Sequence, residues 1–488
     1  MKRRDFHKYG LMMGAGLFNG AAPGTVPEAM AQTGAVYREP AQEIPVREFD
    51  VVVAGAGTAG VVAALAAARN GAKTILIEWK GYTGGTVTEG GTALHSYYNL
   101  WKAFPSVKKR QVVKGIPQEI IDRLMKVGGT TGHTEQLLRY DYDSVCTAVD
   151  VELYKLVTME MLHEAGVFVC VNTLLTDAIV DGNKVRGVIV ESRSRREAIY
   201  AKSFIDCTAY GSLSAYAGAD YKEMNDYQVV NSMGVANVSL EKYYEFLKSQ
   251  DSLLELAKGL RSGKEDQIIR LNGRKVNLPD GFREVAEKIG MSLTTTTVHD
   301  NYMMFIKINY KMPVCPTNRD ATALAELELR QRQYKALQLF RKYVPGCEKA
   351  LIARTSPSIN IRRARLITCD YDISLSDVLG AKHFDDDIMS YGFHDSAPRL
   401  QISNGGTYGV PYKALRVSGI DNLLCAGMMI TSNHDAHMST RNTVCCMGQG
   451  QAAGAAAALC VKRNCGTRDL PYSTLRSALL KDKVYLED

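Results

Sequence analysis

The stretch that decides the fold is Phe49–Glu78, which reads FDVVVAGAGTAGVVAALAAARNGAKTILIE. It begins with Phe49–Ala54, an apolar run typical of buried parallel strands, and continues directly into the glycine-rich sequence GAGTAG. An alanine-rich run then predicts a helix over 61–70 that Gly71 ends, and residues 73–78 predict a second strand that closes on an acid. A strand, a glycine turn, a helix and a second strand in this order predict the first unit of a doubly wound α/β sheet.

The glycines of this turn have separate mechanical roles. Gly55 allows a tight turn, Gly57 lets the backbone approach a pyrophosphate, and Gly60 lets the helix pack on the strand. The N-terminus of the predicted helix would direct its positive end towards the phosphate charge, and Thr58 and Ala59 lie in the turn that leads into it. The turn therefore predicts a dinucleotide site that uses all five residues.

The acid Glu78 and the loop behind it narrow the choice of dinucleotide. A carboxylate at this position can accept hydrogen bonds from both ribose hydroxyls and disfavours the 2′-phosphate of NADP, which leaves FAD and NAD. Residues 78–91 then form a second glycine-rich loop, whose bare backbone can run along a large flat cofactor, and this loop favours FAD. The predicted contacts within it are Gly84, Gly85 and Thr86.

A third glycine-bearing feature lies near the C-terminus. Residues 419–427 predict a turn, a buried strand and a glycine, and the sequence GQGQAAG at 448–454 predicts the start of an alanine-rich helix. The positive end of that helix would face the pyrimidine edge of the flavin and stabilise the charge of its reduced form. We therefore predict Gly427, Gly450 and Gln451 as further FAD contacts; a helix that only closes the core is the alternative.

Three blocks of the chain together resemble a bacterial family of FAD-dependent oxidoreductases related to the fumarate reductase and succinate dehydrogenase flavoproteins. The blocks are 49–91, 202–211 and 410–454, joined by the arginine-bearing segment IRRAR at 361–365. The resemblance implies that Thr208 lies near the adenine side of FAD. The chain departs from the family at Ala209 and Tyr210, where relatives commonly have a glycine and an acid, which puts in doubt any role carried over for an acid there.

The predicted fold class is α/β, with a discontinuous Rossmann-type FAD-binding domain and an inserted α+β substrate or capping domain. In the insert, Asp320 predicts the N-cap of a helix over 321–343. The predicted boundaries are 1–31 for a signal peptide, 44–222 and 405–470 for the FAD-binding domain, 223–404 for the capping domain and 471–488 for a C-terminal tail.

A flavin dehydrogenase needs a group that holds the substrate proton and groups that fix the charge of the substrate. Histidine titrates near neutrality, and His434 lies between the strand that reaches the cofactor and the helix at its pyrimidine edge. We predict His434 as the proton donor or acceptor and His437 as a second candidate. Arg441 and Arg362 are predicted to hold an anionic group, with surface salt bridges as the alternative.

Two other chemistries find little support. His95 follows the second glycine loop and suggests a covalent flavin link, but its spacing does not favour one. The eleven cysteines show no CxxC pair and no zinc-type spacing with histidine, so no metal is predicted and most of these thiols are expected to be buried.

The first 31 residues have the order of an export signal. A basic start leads into an apolar stretch at 11–22 and then into Ala29-Met30-Ala31, which suits a signal peptidase. The string RRDFHK at 3–8 resembles the twin-arginine pattern, whose pathway moves folded proteins, so the Tat translocase is a predicted partner. We expect a periplasmic protein after cleavage; a frayed basic N-terminus is the alternative.

The composition is that of an ordinary folded protein. With 46% hydrophobic and 23% charged residues and a formal net charge of +7 over 488 residues, the chain does not have the composition of a disordered protein. This modest charge implies no nucleic-acid partner, and after cleavage we expect no stable membrane insertion.

We therefore predict an exported FAD-dependent oxidoreductase that transfers a hydride between flavin N5 and a small polar or anionic organic substrate. The periplasm lacks a ready NAD(P)H pool, so the electron partner would be a quinone, a cytochrome or oxygen. Two alternatives are a flavin-fold isomerase, hydratase or lyase without net redox change, and a binding protein that has lost catalysis.

Overall fold

The computed structural model describes residues 37–91, 94–104, 106–138, 145–392, 400–403, 406–430 and 433–487. The predicted signal peptide at 1–31 lies outside these residues. The chain divides into two units, 1–41 and 42–488. The described part of the first unit, 37–41, is exposed and forms neither helix nor strand. The second unit contains every element given below.

The second unit combines helices and strands throughout its length. Its α-helices are α1 (Thr58–Arg69), α2 (Thr86–Gly90), α3 (Ile116–Lys126), α4 (Val151–Glu164), α5 (Ser212–Tyr216), α6 (Leu240–Ser249), α7 (Asp280–Lys288), α8 (Arg319–Tyr343), α9 (Leu375–Leu379), α10 (His434–Thr440), α11 (Thr443–Arg463) and α12 (Tyr472–Lys481). Its strands are β1 (Val46–Glu48), β2 (Val51–Ala54), β3 (Thr74–Ile77), β4 (Leu94–His95), β5 (Thr134–Glu135), β6 (Val145–Thr147), β7 (Phe168–Cys170), β8 (Thr173–Asp181), β9 (Lys184–Ser192), β10 (Arg196–Tyr200), β11 (Ser203–Asp206), β12 (Tyr221–Glu223), β13 (Val229–Ala236), β14 (Leu253–Arg261), β15 (Lys264–Gly273), β16 (Thr295–Thr296), β17 (Tyr302–Tyr310), β18 (Leu351–Thr355), β19 (Arg365–Ile367), β20 (Asp387–Tyr391), β21 (Tyr408–Pro411) and β22 (Leu423–Cys425).

A five-stranded parallel sheet carries the cofactor-binding unit. Its strand order is β22-β11-β2-β3-β7, and in its centre Val52 of β2 pairs with Ile75 of β3 and with Phe204 of β11. Every residue of β2 is buried, as expected for a central strand covered on both faces. The predicted α/β fold of the Rossmann type is thereby confirmed. Helix α1 begins at Thr58, three residues earlier than the sequence pattern predicted.

Helix α11 packs against α1 at very short range. A Cβ atom at Gly450 would lie 2.2 Å from the carbonyl oxygen of Ala59, and one at Gly454 would lie 2.1 Å from that of Ala63. These two glycines let the two backbones approach, which no larger residue permits. The predicted start of this helix at 448 is wrong, because the helix begins at Thr443, where the Asn442 side chain accepts a hydrogen bond from the Val444 amide.

Helix α11 is also unusually apolar for a helix in a folded protein. Within the described residues it is the one helix that is long and apolar enough to cross a membrane, judged by length and composition. In this structure 83% of its apolar window is buried inside the protein. Its apolar surface therefore serves the core.

A second core lies under a separate sheet. The six strands β14-β15-β16-β17-β13-β18 pair antiparallel, and the buried side chains between them and helices α6, α7 and α8 come from residues 229–359. Residues 365–391 contribute instead to the first core, through Ile367 and Ile388 among others. The domain boundaries at 223 and 404 stay predictions. The predicted N-cap of α8 is corrected, because Asn318 and not Asp320 accepts the hydrogen bond from the Ala321 amide.

Strands β8 and β9 form a hairpin, in which they pair antiparallel on either side of Gly182 and Asn183. The prediction that most of the cysteines are buried is confirmed. All eleven cysteines carry free thiols, and eight of them are buried.

Candidate active site

A cavity of about 750 Å³ lies between the five-stranded parallel sheet, at the carboxyl ends of its strands, and the six-stranded antiparallel sheet, called the second sheet below. On one side it is lined by the turns after β2, β3, β11 and β22. On the other side it is lined by residues of β13, β15 and β17 and by the segment 360–362. Open α/β sheets bind ligands at this end of their strands.

The first glycine turn forms one wall of the cavity. A Cβ at Gly55 would lie 2.4 Å from the Cys207 carbonyl oxygen, and one at Gly60 would lie 1.7 Å from the carbonyl oxygen of Gly55, so both positions need glycine for packing. A Cβ at Gly57 would meet nothing within 4 Å and would project into open space. The cavity is lined there by Gly57, Thr58 and Ala59, at the start of α1. The wall therefore leaves room beside a helix N-terminus, as a pyrophosphate group requires.

The second glycine loop lies against the first. A Cβ on Gly85 would lie 2.8 Å from the Cα of Gly57, and the Gly84 amide donates to the Ala56 carbonyl over 2.9 Å. Gly85 and Thr86 line the cavity, whereas Gly84 lies behind them. The loop thus extends the wall that begins at Gly57.

Glu78 is buried at the end of β3 and lines the cavity. Its carboxylate accepts hydrogen bonds from the backbone amides of Ala56, over 2.8 Å, and Lys80, over 2.9 Å. Burial raises the pKa of Glu78 despite these two bonds, which favour its ionised form. A carboxylate has about four acceptor sites, so acceptor capacity remains for the hydroxyls of a ribose.

The turn after β11 is held by a buried carboxylate. Asp206 accepts from the amide and the hydroxyl of Thr208 over 3.0 and 2.7 Å, and from both groups of Ser214 over 2.8 Å. Thr208 lines the cavity, and its place near the adenine side of FAD stays a prediction. Ala209, at the position where relatives have glycine, has a φ of +67°. A residue with a Cβ in this left-handed conformation is strained by about 1 to 2 kcal/mol.

Replacing Ala209 with glycine is expected to stabilise the protein by about 0.5 kcal/mol. Glycine removes the left-handed strain energy of the folded state. This gain exceeds the extra conformational entropy that glycine loses on folding. The matched control is Ala215→Gly in α5, which should lose about 1 kcal/mol because no such strain is relieved there. The thermal unfolding midpoint of each variant is measured relative to wild type. If both variants lower the midpoint equally, Ala209 is not strained.

The turn after β22 and the start of α11 form the far end of the cavity. Gly427 lines it, and its amide donates to the Gln449 side chain over 2.9 Å. Gly450 and Gln451, which the sequence predicted as FAD contacts, are not among the residues that line the cavity. Gly450 packs on α1, and Gln451 bonds the Ile116 amide and the Asp482 carbonyl over 3.0 and 3.2 Å, so both serve packing. The N-terminus of α11 does reach the cavity, through Thr443 and Cys446.

The two predicted catalytic histidines do not line the cavity. His434 has a side chain that is 44% exposed, and its Nδ1 donates to Asp226 over 2.8 Å. His437 is fully buried, and its Nε2 donates to the Arg362 carbonyl over 2.9 Å. Burial, followed by the charges of Arg363 and Arg441, lowers the pKa of His437 well below its usual range. A neutral His437 therefore holds the backbone of Arg362 in place.

The two predicted substrate arginines do line the cavity, and the structure adds residues that the sequence did not single out for this purpose. Arg362 and Arg441 are joined there by three residues of the second sheet, Arg270, Phe305 and Lys307, and by His95 of β4. Arg270 donates to His95 Nε2 over 3.3 Å and pairs with Glu255 over 2.8 Å, with both side chains of that pair buried. A cation inside the apolar run IIRL, at 268–271, is the one sequence signal that could have indicated it.

A parallel α/β sheet with a glycine-walled cavity at the carboxyl ends of its strands defines a nucleotide-binding protein of the Rossmann type. The chain belongs to the FAD dependent oxidoreductase family, whose model matches residues 50–479. It is accordingly an FAD-dependent oxidoreductase with FAD as its cofactor.

Curated relatives match only parts of the chain. A 3-oxosteroid 1-dehydrogenase of Mycobacterium tuberculosis is 35% identical over 95 residues, which are 20% of this chain and 16% of that protein. A thiamine thiazole synthase of Methanococcus maripaludis is 26% identical over 177 residues, 35% of this chain and 59% of that protein. The chain thus spans less than two thirds of either relative.

Solved structures that cover most of the chain resemble it at low sequence identity. A geranylgeranyl bacteriochlorophyll reductase-like protein from Thermoplasma acidophilum has a TM-score of 0.47 and 13% identity, with 90% of this chain and 84% of that chain covered. A p-nitrophenol 4-monooxygenase from Pseudomonas putida has a TM-score of 0.44 and 10% identity at the same coverage.

Proposed function

We propose that this chain is an exported dehydrogenase or reductase that exchanges a hydride between FAD and a small anionic organic substrate. FAD, when bound, supplies the hydride acceptor or donor at N5. The residues proposed to hold FAD are those of the glycine wall, namely Gly57, Thr58, Ala59, Gly85 and Thr86, together with Glu78 and Thr208.

The charge distribution in the cavity carries this proposal. The lining cations are Lys80, Arg270, Lys307, Arg319, Arg362 and Arg441, whereas the lining acids are Glu78 and Glu89. Both acids belong to the cofactor wall and are engaged, because Glu89 pairs with Lys80 and Glu78 accepts from backbone amides. Among the cations, Arg270 and Arg319 also pair with Glu255 and Asp320 outside the lining, so the attraction of an anionic substrate is proposed for Arg362 and Arg441.

His95 is the side chain best placed to hold the substrate proton. Among the histidines that the structure describes, His95 alone lines the cavity. Arg270 donates to His95 Nε2, so the lone pair of the ring is on that nitrogen. In dehydrogenation the substrate would lose a hydride to FAD and a proton to Nε2, which would first release its hydrogen bond from Arg270. Arg362 and Arg441 would hold the anionic group meanwhile.

The cellular setting belongs to the same proposal. The order of charge, apolar stretch and cleavage site in the first 31 residues supports export by the twin-arginine route into the periplasm. The electron partner would then be a quinone, a cytochrome or oxygen, which takes the two electrons that the substrate gives up.

Anaerobic titration of the purified holoprotein tests this function. Small carboxylic acids that carry an oxidisable hydroxyl or a saturated carbon pair should bleach the visible absorbance of oxidised flavin, and the corresponding alcohols and amides should not. Bleaching by the neutral compounds alone would overturn the anionic substrate. Conversion of an acid without any bleaching would overturn hydride transfer and favour an isomerase, hydratase or lyase.

A further inference from the structure

The C-terminal end of α11 brings two cysteines together. The helix ends at Arg463, and Asn464 then turns the chain in the left-handed region, with a φ of +49° and a ψ of +50°. After this turn the Cys465 amide donates to the Cys460 carbonyl over 3.1 Å. A hydrogen bond of this kind, across a left-handed helix cap, commonly brings the side chains of the two bonded residues into contact. Cys460 and Cys465 are therefore neighbours in the fold.

The two thiols differ in their access to solvent. Cys460 is buried, with 4% of its surface exposed, whereas Cys465 is partly exposed. The Cys460 thiol donates to the Gly466 carbonyl over 3.6 Å and also hydrogen bonds with the Cys465 thiol. Burial, followed by the neighbouring Cys465, raises the pKa of Cys460. A reagent from solvent should therefore react first with Cys465, with the second thiol already beside it.

The segment that carries Cys465 is held against the rest of the fold. The Thr467 amide donates to the Asp421 carbonyl, in the turn before β22, over 2.7 Å. The Thr467 carbonyl accepts from the Tyr412 hydroxyl over 3.0 Å. These bonds keep the chain after Asn464 in place, so the two thiols meet within a defined structure. A covalent bond between them would tie the end of α11 to the segment that contacts this turn.

We propose that Cys460 and Cys465 are a modification site, at which an external disulfide oxidises the pair to an intramolecular disulfide that fastens the end of α11. The Cys465 thiolate attacks one sulfur of the oxidant, forms a mixed disulfide and expels one thiol. Cys460 then attacks the Cys465 sulfur, closes the bond between the two cysteines and releases the second thiol. The cysteines lose two electrons to the oxidant, and their two protons pass to the released thiols.

This inference goes beyond the proposed function and uses neither the flavin nor a substrate. An oxidising compartment such as the proposed periplasm would supply the disulfide oxidant. The bond would form after transport of the folded chain, because Cys465 is partly exposed in the fold. Failure of the disulfide would leave hydride transfer unaffected, and failure of hydride transfer would leave the disulfide unaffected.

Peptide mapping of the oxidised holoprotein tests the bond. Reduced holoprotein is incubated with oxidised glutathione, unfolded in the presence of N-ethylmaleimide and digested with trypsin without reduction. Trypsin cuts after Lys462 and Arg463, which separates the two cysteines onto peptides 442–462 and 464–468. We expect these peptides to remain joined by a disulfide, which fragmentation places at Cys460.

Three results of this mapping would overturn the proposal. They are alkylation of both cysteines, glutathione retained on Cys465, and a bond from Cys465 to Cys445 or Cys446 of the same peptide in place of Cys460. Cys465→Ser should abolish the joined peptides. The matched control is Cys315→Ser, because Cys315 is also partly exposed but its sulfur accepts a hydrogen bond from the Thr317 hydroxyl over 3.2 Å. This control should retain the bond, and its loss there would contradict the pairing.

The thermal unfolding midpoint tests whether the bond fastens the helix end. Oxidation should raise the midpoint of wild type and of Cys315→Ser by about 2 °C or more, because a cross-link restricts the unfolded chain. Cys465→Ser, which lacks the bond, should show no rise. An equal rise in Cys465→Ser, or an unchanged midpoint in wild type that carries the bond, would overturn the fastening of α11.

Discussion

Replacing Gly57 with valine is expected to abolish FAD binding and leave the protein folded. Gly57 has φ −68° and ψ −171°, a conformation that any residue adopts, and a Cβ there meets no protein atom within 4 Å. The valine side chain would instead fill the space beside the start of α1, where the pyrophosphate has to approach the backbone. We expect the affinity for FAD to fall about 100-fold or more, equivalent to about 3 kcal/mol.

Flavin content after purification and the far-ultraviolet circular dichroism spectrum measure the two halves of this prediction. The matched control is Gly60→Val, three residues away in the same turn. A Cβ at Gly60 would lie 1.7 Å from the carbonyl oxygen of Gly55, so this variant should fail to fold. A Gly57→Val protein that retains full flavin would show that the cofactor does not approach this turn.

Replacing His95 with glutamine is expected to slow flavin reduction by substrate about 100-fold or more, the usual loss when a general acid or base is removed. Glutamine keeps a side chain that can accept from Arg270, so FAD should stay bound and substrate affinity should change little. Anaerobic stopped-flow measurement with a substrate from the titration above gives the rate.

His434→Gln is the matched control for this experiment. His434 is partly exposed and pairs with Asp226 outside the described cavity lining, so its loss should slow reduction by no more than about threefold. The reverse result, with a slow His434→Gln and a nearly normal His95→Gln, would return the proton to His434, the residue that the sequence pattern had favoured.

The cofactor wall could be predicted from sequence because its signals are local. Residues 49–78 contain the strand, the turn, the helix and the acid in one continuous stretch, and each local preference agrees with the final fold. The structure moves the start of α1 by three residues and leaves the strand and the acid where the pattern placed them. Positions that are close in sequence are here also close in space.

The substrate wall could not be predicted in the same way, because its members meet only through tertiary contacts. His95, Arg270 and Phe305 come from three strands that are far apart in the sequence, and no spacing rule connects them. The start of α11 was predicted wrongly, at 448, for a similar reason. Glycine is unfavourable inside a helix, so its presence at 450 did not indicate a helix interior. In the structure Gly450 allows the close approach to Ala59, a tertiary contact that the local sequence does not reveal.

Helix α11 also bears on the order of folding and export. Its 21 residues are apolar enough to cross a membrane, so an unfolded chain threading through a protein-conducting channel would present a segment able to leave sideways into the lipid. Packing α11 against α1 before transport removes that segment from reach of the bilayer. The proposed twin-arginine route would thus protect the chain from becoming a stalled membrane protein, in addition to delivering it with its cofactor.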